Sequence, residues 1–148
     1  MVPSADMPAF LASVFPAPAF PALALPPAGA ATVLVVEDDP LLAELAAEVI
    51  ADAGYRVLVA DDADRAEGML ARGAVDLLFT DIDLARGTNG LDLARRARRR
   101  LPDLPVLYAS GGRRTLGDEA VAGSVFFPKP YRLDDVVATI AGALAPRA

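Results

Sequence analysis

From Thr32 onward, two hydrophobic rhythms alternate. Val33-Leu34-Val35-Val36 is a β-branched run that stops at Glu37 and Asp38, the signature of a strand covered on both faces. Behind it, Pro40 suits the first turn of a helix. Leu41, Leu42, Leu45, Ala46, Val49 and Ile50 then form an apolar stripe, opposed by Glu44, Glu48 and Asp52. Gly54 ends that helix. The same reading predicts strands over Arg56–Ala60, Asp76–Thr80, Pro105–Ala109 and Val125–Phe127, and helices over Ala63–Arg72 and Gly90–Arg100. Leu133, Val136, Val137, Ile140, Ala141 and Leu144 recur at helical spacing and predict a terminal helix.

Strands alternating with helices imply an α/β fold: a doubly wound, five-stranded parallel sheet with right-handed crossovers and helices on both faces. In such sheets the functional crevice lies at the carboxyl ends of the strands. That rule gathers scattered polar residues. Glu37 and Asp38 follow the first strand, Asp81 the third, Ser110 the fourth and Lys129 the fifth. All are expected at one edge of the sheet.

The first thirty residues obey neither rhythm. They are rich in Ala and Pro, carry Asp6 as their sole charge, and are broken by Pro3, Pro8, Pro16, Pro18, Pro21, Pro26 and Pro27. Residues 1–31 are therefore expected to be a disordered tail and 32–148 a single folded domain. The tail lacks the basic start of a signal peptide, and its apolar runs are too short to span a bilayer. A cytoplasmic protein without membrane contact is expected.

Composition narrows the chemistry. The net charge is −6 and the pI near 4.5, which disfavours nucleic acid as a partner, because phosphate backbones need a basic face. The run Arg95, Arg96, Arg98, Arg99, Arg100 is expected to cover a solvated helix face and its negative terminus. There is no cysteine and no histidine, so thiolate chemistry and the commonest zinc ligand are excluded. Of 14 cationic side chains, Lys129 is the one lysine, a compact charge on a flexible stem where Arg is a planar fork.

Three carboxylates in one crevice repel each other unless a cation is supplied. Oxygen-only ligands select a hard cation, and Mg²⁺ takes one or two carboxylates together with waters and phosphate oxygens. Glu37, Asp38 and Asp81 thus make a candidate magnesium site open toward a phosphoryl group. A carboxylate can attack phosphorus to form an acyl phosphate, with Ser110 and Lys129 each pairing with a phosphoryl oxygen. Asp39, directly before Pro40, is assigned to helix capping instead.

The motifs Val33-Leu34-Val35-Val36-Glu37-Asp38-Asp39, Leu77-Leu78-Phe79-Thr80-Asp81, Val106-Leu107-Tyr108-Ala109-Ser110-Gly111 and Pro128-Lys129-Pro130 resemble the receiver domains of two-component response regulators. The resemblance runs from about Thr32 to the C-terminus. It implies a flavodoxin-like strand order 2-1-3-4-5 and Asp81 as the phosphoacceptor. Glu37 and Asp38 become the acidic pair, and the Asp83 backbone carbonyl completes the Mg²⁺ site. Ser110 and Lys129 become the family's hydroxyl and lysine, Phe126 its aromatic switch position, and the Lys129–Pro130 bond is expected to be cis. The implied partners are a histidine kinase or histidine phosphotransfer protein, and an unknown downstream protein. The implied role is a phosphorelay switch and no enzyme acting on an outside substrate. With only one helix predicted after Lys129, a receiver of the single-domain type is expected, signalling by protein–protein contact.

Two stretches depart from the family. Ala85 stands where proline is usual, in a loop after Asp81 that is one residue longer. Gly111 to Ala120 holds Gly111, Gly112 and Gly117, which weaken a helix, so the family's fourth helix is expected to be short or irregular. Two other readings stay open. One is a pseudo-receiver interaction module that keeps the pocket without phosphorylation. The other is an Asp-nucleophile phosphatase, suggested by Asp81-Ile82-Asp83 but disfavoured because the acidic pair precedes that motif.

Overall fold

A computed structural model describes residues 28–113 and 115–146. The tail expected over 1–31 therefore lies outside the described residues except for its last four positions. Five parallel strands form one sheet in the order β2-β1-β3-β4-β5. They are β1 (Thr32–Val36), β2 (Arg56–Ala60), β3 (Leu77–Asp81), β4 (Val106–Ser110) and β5 (Val125–Pro128). Among the described residues four α-helices accompany them: α1 (Pro40–Asp52), α2 (Ala63–Ala71), α3 (Gly90–Arg100) and α4 (Leu133–Leu144).

The continuous apolar strands are explained by two cores. Alternate residues of a strand point to opposite faces, so Val33, Val35, Leu77, Phe79 and Leu107 pack with Ala46 and Ile50 of α1 and Val136 and Ile140 of α4. Leu34, Val36, Leu78, Val106 and Tyr108 pack with Ala66 and Leu70 of α2 and Leu93, Ala94 and Ala97 of α3. Two of the predicted strands are displaced by one residue and a third is longer by one. β3 and β4 include Asp81 and Ser110 as their last positions, and β5 extends to Pro128.

The stripe predicted for the first helix is only half right. Ala43, Ala46 and Ile50 are buried, whereas Leu41, Leu42 and Leu45 are 64%, 40% and 43% exposed. Small alanines let the helix lie close to the sheet, and the leucines fall on its flank. Asp39 caps this helix as expected, accepting from the amides of Leu41 at 3.0 Å and Leu42 at 3.3 Å.

Between β4 and β5 the described residues hold no α-helix, only a 3-10 turn over Gly117–Glu119. Side chains take over the missing helix's role. The Tyr108 hydroxyl, on a fully buried ring, accepts from the Val121 amide at 3.2 Å. Arg95 and Arg98 donate to the carbonyls of Glu119 at 3.1 Å and Ala122 at 2.8 Å. The arginine run therefore does more than meet solvent: part of it ties this segment to α3. No helix among the described residues is long and apolar enough to cross a membrane.

Residues facing the sheet should dominate the stability of α1. Ile50→Ala should cost about 2–5 kcal/mol, while Leu45→Ala should stay near 0.5 kcal/mol or below, as roughly expected for an exposed position. Urea unfolding of the two variants checks the assignment, and equal losses would contradict it.

Candidate functional site

Parallel register brings the site together. Val36 pairs with Thr80, Asp81 with Ala109 and Ser110 with Pro128. The strand ends thus form one rim, from which Glu37, Asp81, Ser110 and Lys129 emerge. Lys129 Nζ donates to Glu37 Oε1 and to Asp81 Oδ2, both at 3.3 Å. Glu37, Asp81 and Lys129 also line one small cavity of about 10 Å³, room for about one water-sized group.

Glu37, Asp38 and Asp81 each offer a carboxylate oxygen, and these lie within 4.8 Å of one another. Asp38 is exposed, and Glu37 is buried with 8% of its surface accessible. Burial is the main reason that the Glu37 carboxyl is pushed up from its ordinary 4.5 to about 7. The neighbouring Asp81 carboxylate adds to the rise, and Lys129 offsets part of it. Burial pulls the Lys129 ammonium down, but the Asp81 and Glu37 charges and hydrogen bonds outweigh it, and its pKa is raised. Glu37 Oε2 is buried with no hydrogen-bond partner among the described residues. An acceptor stranded beside two further carboxylates fits a hard divalent cation, which all-oxygen donor sets favour.

Two features, an aromatic cluster and a close backbone approach, hold these groups in place. Phe127 and Tyr131, on either side of Lys129, both pack edge-on against Phe79, with ring centroids 6.3 and 5.9 Å away. Phe79 lies two residues before Asp81, so one aromatic cluster locates the lysine and the aspartate together. The Lys129–Pro130 peptide is cis, as expected. At Gly90, a Cβ would stand 2.1 Å from the Asp81 carbonyl oxygen, a distance no side chain tolerates. Its amide donates to Ile82 O at 2.7 Å, closing the loop after Asp81.

The remaining predicted residues are nearby but differently engaged. Ser110 is 1% exposed, and its hydroxyl accepts from the Gly112 amide at 3.2 Å. Among the described residues its side chain shares no hydrogen bond with Asp81, Glu37 or Lys129. Asp83 is exposed and bridges to Asn89 across the loop. Phe126 is half-buried on the α2/α3 side of the sheet, opposite Tyr108. Gly90, Phe79 and Tyr131 were not singled out from the sequence. The Asn89-Gly90 pair opening a helix was the available signal for the first, and the aromatics carry no motif.

Two outcomes follow from this geometry. An acid whose pKa is raised on folding holds its proton in the folded state while the unfolded chain has lost it, so stability falls as pH climbs from about 4.5 to about 7. With divalent ions chelated, Glu37→Gln should remove this dependence and gain on the order of 1–3 kcal/mol over the parent at pH 8. Thermal melts at pH 5 and pH 8 check it, and parallel curves would contradict it. Gly90→Ala should cost about 1–3 kcal/mol by forcing the Asp81 backbone to move, read by urea unfolding. An unchanged midpoint would show that the contact is not as tight as described.

The fold agrees with what comparison with known proteins finds. Residues 33–141 match the response regulator receiver domain family. The chain is 32% identical over 120 residues to the DNA-binding transcriptional regulator NtrC of Rhizobium meliloti, covering 78% of this chain and 24% of that protein. It is 32% identical over 117 residues to the response regulator MprA of Mycobacterium leprae, covering 76% and 50%. The chain thus spans about a quarter to half the length of these relatives. Among solved structures, a response regulator receiver protein from Sinorhizobium medicae superposes with a TM-score of 0.75 at 28% identity, covering 81% of this chain and 98% of that one. The non-phosphorylated HemR receiver domain of Leptospira biflexa gives 0.70 at 30% identity, covering 80% and 97%. Family match, relatives and fold agree, and this chain belongs to the response regulator receiver family of two-component signalling.

Proposed function

We propose that Asp81 is the phosphoacceptor of a phosphorelay. A carboxylate oxygen of Asp81 attacks phosphorus on a partner's phosphohistidine, the P–N bond breaks, and the imidazole leaves with its electron pair. The observation that carries this reading is the ammonium of Lys129, shared at 3.3 Å between Glu37 and Asp81 beside the unpartnered Glu37 Oε2. Such a group supports anionic chemistry at Asp81. It pairs with the carboxylate beforehand and can pair with a phosphoryl oxygen afterwards.

Glu37, Asp38, Asp81 and the Asp83 carbonyl would hold Mg²⁺, which when bound neutralises charge on the phosphoryl oxygens. Ser110 would leave Gly112 and donate to another of those oxygens. That rotation opens space beside β4, where half-buried Phe126 can move, and the segment tied to Tyr108 follows. A histidine kinase or histidine phosphotransfer protein is the proposed donor, and a downstream protein reading the changed surface is the proposed target. Slow hydrolysis of the acyl phosphate would reset the switch, with no outside substrate turned over.

Incubation with acetyl phosphate and Mg²⁺ should add one phosphoryl group to the parent protein and none to Asp81→Asn, followed by intact mass. Lys129→Ala should slow labelling by about 10²-fold or more, the scale of losing one electrostatic stabiliser. Equal labelling of Asp81→Asn would refute the assignment, and no labelling of the parent would favour a pseudo-receiver module.

A further inference from the structure

The loop after Asp81 is pinned to a distant part of the chain by one ion pair. Arg86 Nη2 donates to Asp62 Oδ2 at 2.6 Å. Asp62 stands at the start of α2, where its other oxygen accepts from the Arg65 amide at 2.8 Å. Its side chain is only 7% exposed, whereas that of Arg86 is 71% exposed. Both carboxylate oxygens are therefore engaged, one by the helix it caps and one by the loop.

Arg86 accepts an unfavourable backbone to make this contact. Its φ is 61° and its ψ 32°, the left-handed region that side chains other than glycine's avoid. The loop around it is closed by Leu84 N to Thr88 O and Thr88 N to Ala85 O, both at 3.2 Å, and by the Thr88 hydroxyl to Ala85 O at 2.8 Å. Leu84 is buried in the core shared with Ala63. The loop is thus held on the α2 side by one apolar anchor and one ionic anchor. At its rim end lies Asp83.

We infer that Arg86 is a positioning residue for the cation site: through Asp62 it fixes the loop that carries the Asp83 carbonyl, the ligand proposed alongside Glu37, Asp38 and Asp81. This rests on the reading of those residues as a Mg²⁺ site. Neither Arg86 nor Asp62 need touch the cation or the phosphoryl group. Their effect is to keep one ligand from having to be ordered at the moment of binding. A single N–O contact carries the pair, so another cationic side chain of similar reach can serve.

Arg86→Gly separates the ion pair from the backbone, because glycine takes a φ of 61° without strain. Calorimetric titration with Mg²⁺ alone should show about tenfold weaker binding in Arg86→Gly, the lower end of the range for supporting residues at metal sites. Thermal melting should show the variant folded. Arg86→Lys should bind nearly as tightly as the parent. Asp62→Asn, which keeps an oxygen for capping Arg65, should reproduce the weakening. Mg²⁺ affinity unchanged in both Arg86→Gly and Asp62→Asn would overturn the inference while leaving the cation site standing. A parent protein that does not bind Mg²⁺ would overturn the cation site and this inference together.

Discussion

Two like charges about 4 Å apart oppose each other by roughly 4 kcal/mol at the effective dielectric near a protein surface. Glu37, Asp38 and Asp81 bring carboxylate oxygens within 4.8 Å of each other, and the conflict is contained by the ammonium of Lys129. Everything else at the rim serves to place that one charge. Phe127 and Tyr131 grip Phe79 on either side of the lysine. The parallel register puts Asp81 and Ser110 at the ends of adjacent strands. Gly90 lets α3 begin against the Asp81 backbone. A lysine suits the place between two carboxylates, being a compact point charge where arginine carries a wide planar head.

Containment is incomplete, and the residue left over is informative. The lysine satisfies one Glu37 oxygen, while Oε2 has no partner among the described residues and the carboxyl is pushed up to about 7. A rigid sheet therefore carries an electrostatic debt at its rim that a divalent cation or a proton can settle. Rigidity is graded around it. The sheet is packed on both faces, but among the described residues the stretch between β4 and β5 holds no α-helix and is tied by Tyr108, Arg95 and Arg98. Such side-chain ties are more easily exchanged than a helical ladder, so a change beginning at Ser110 would spread there before it disturbs the core.

The sequence was most legible where a pattern has only one physical solution. Strands buried on both faces must be continuously apolar, so the Val33–Val36 run and its successors predicted the sheet, and the α/β alternation predicted which edge would collect Glu37, Asp81, Ser110 and Lys129. It was less legible where two solutions share one pattern. Leu41, Leu42 and Leu45 continue the apolar stripe of α1, yet alanines occupy the buried face, because hydrophobicity alone does not say how close a helix lies to its sheet. Contacts set by three-dimensional shape left little trace: the Gly90 approach, the aromatic grip on Phe79 and the Arg86–Asp62 pair each join residues with no local pattern linking them. The weakened fourth helix was legible, through its glycines, while the tyrosine and arginines that tie down its replacement were not.

The acidic rim and the single ammonium are proposed to act as one site for a cation and a phosphoryl group. A crystal structure with Mg²⁺ and beryllofluoride, a mimic of the acyl phosphate, tests this most directly. The account predicts beryllium bonded to an Asp81 oxygen, with Lys129 and Ser110 on its fluorides. It also predicts Mg²⁺ at about 2.0–2.1 Å from carboxylate oxygens of this cluster and from the Asp83 carbonyl. Beryllofluoride bound away from Asp81, or Mg²⁺ bound away from Glu37, Asp38 and Asp81, would contradict it.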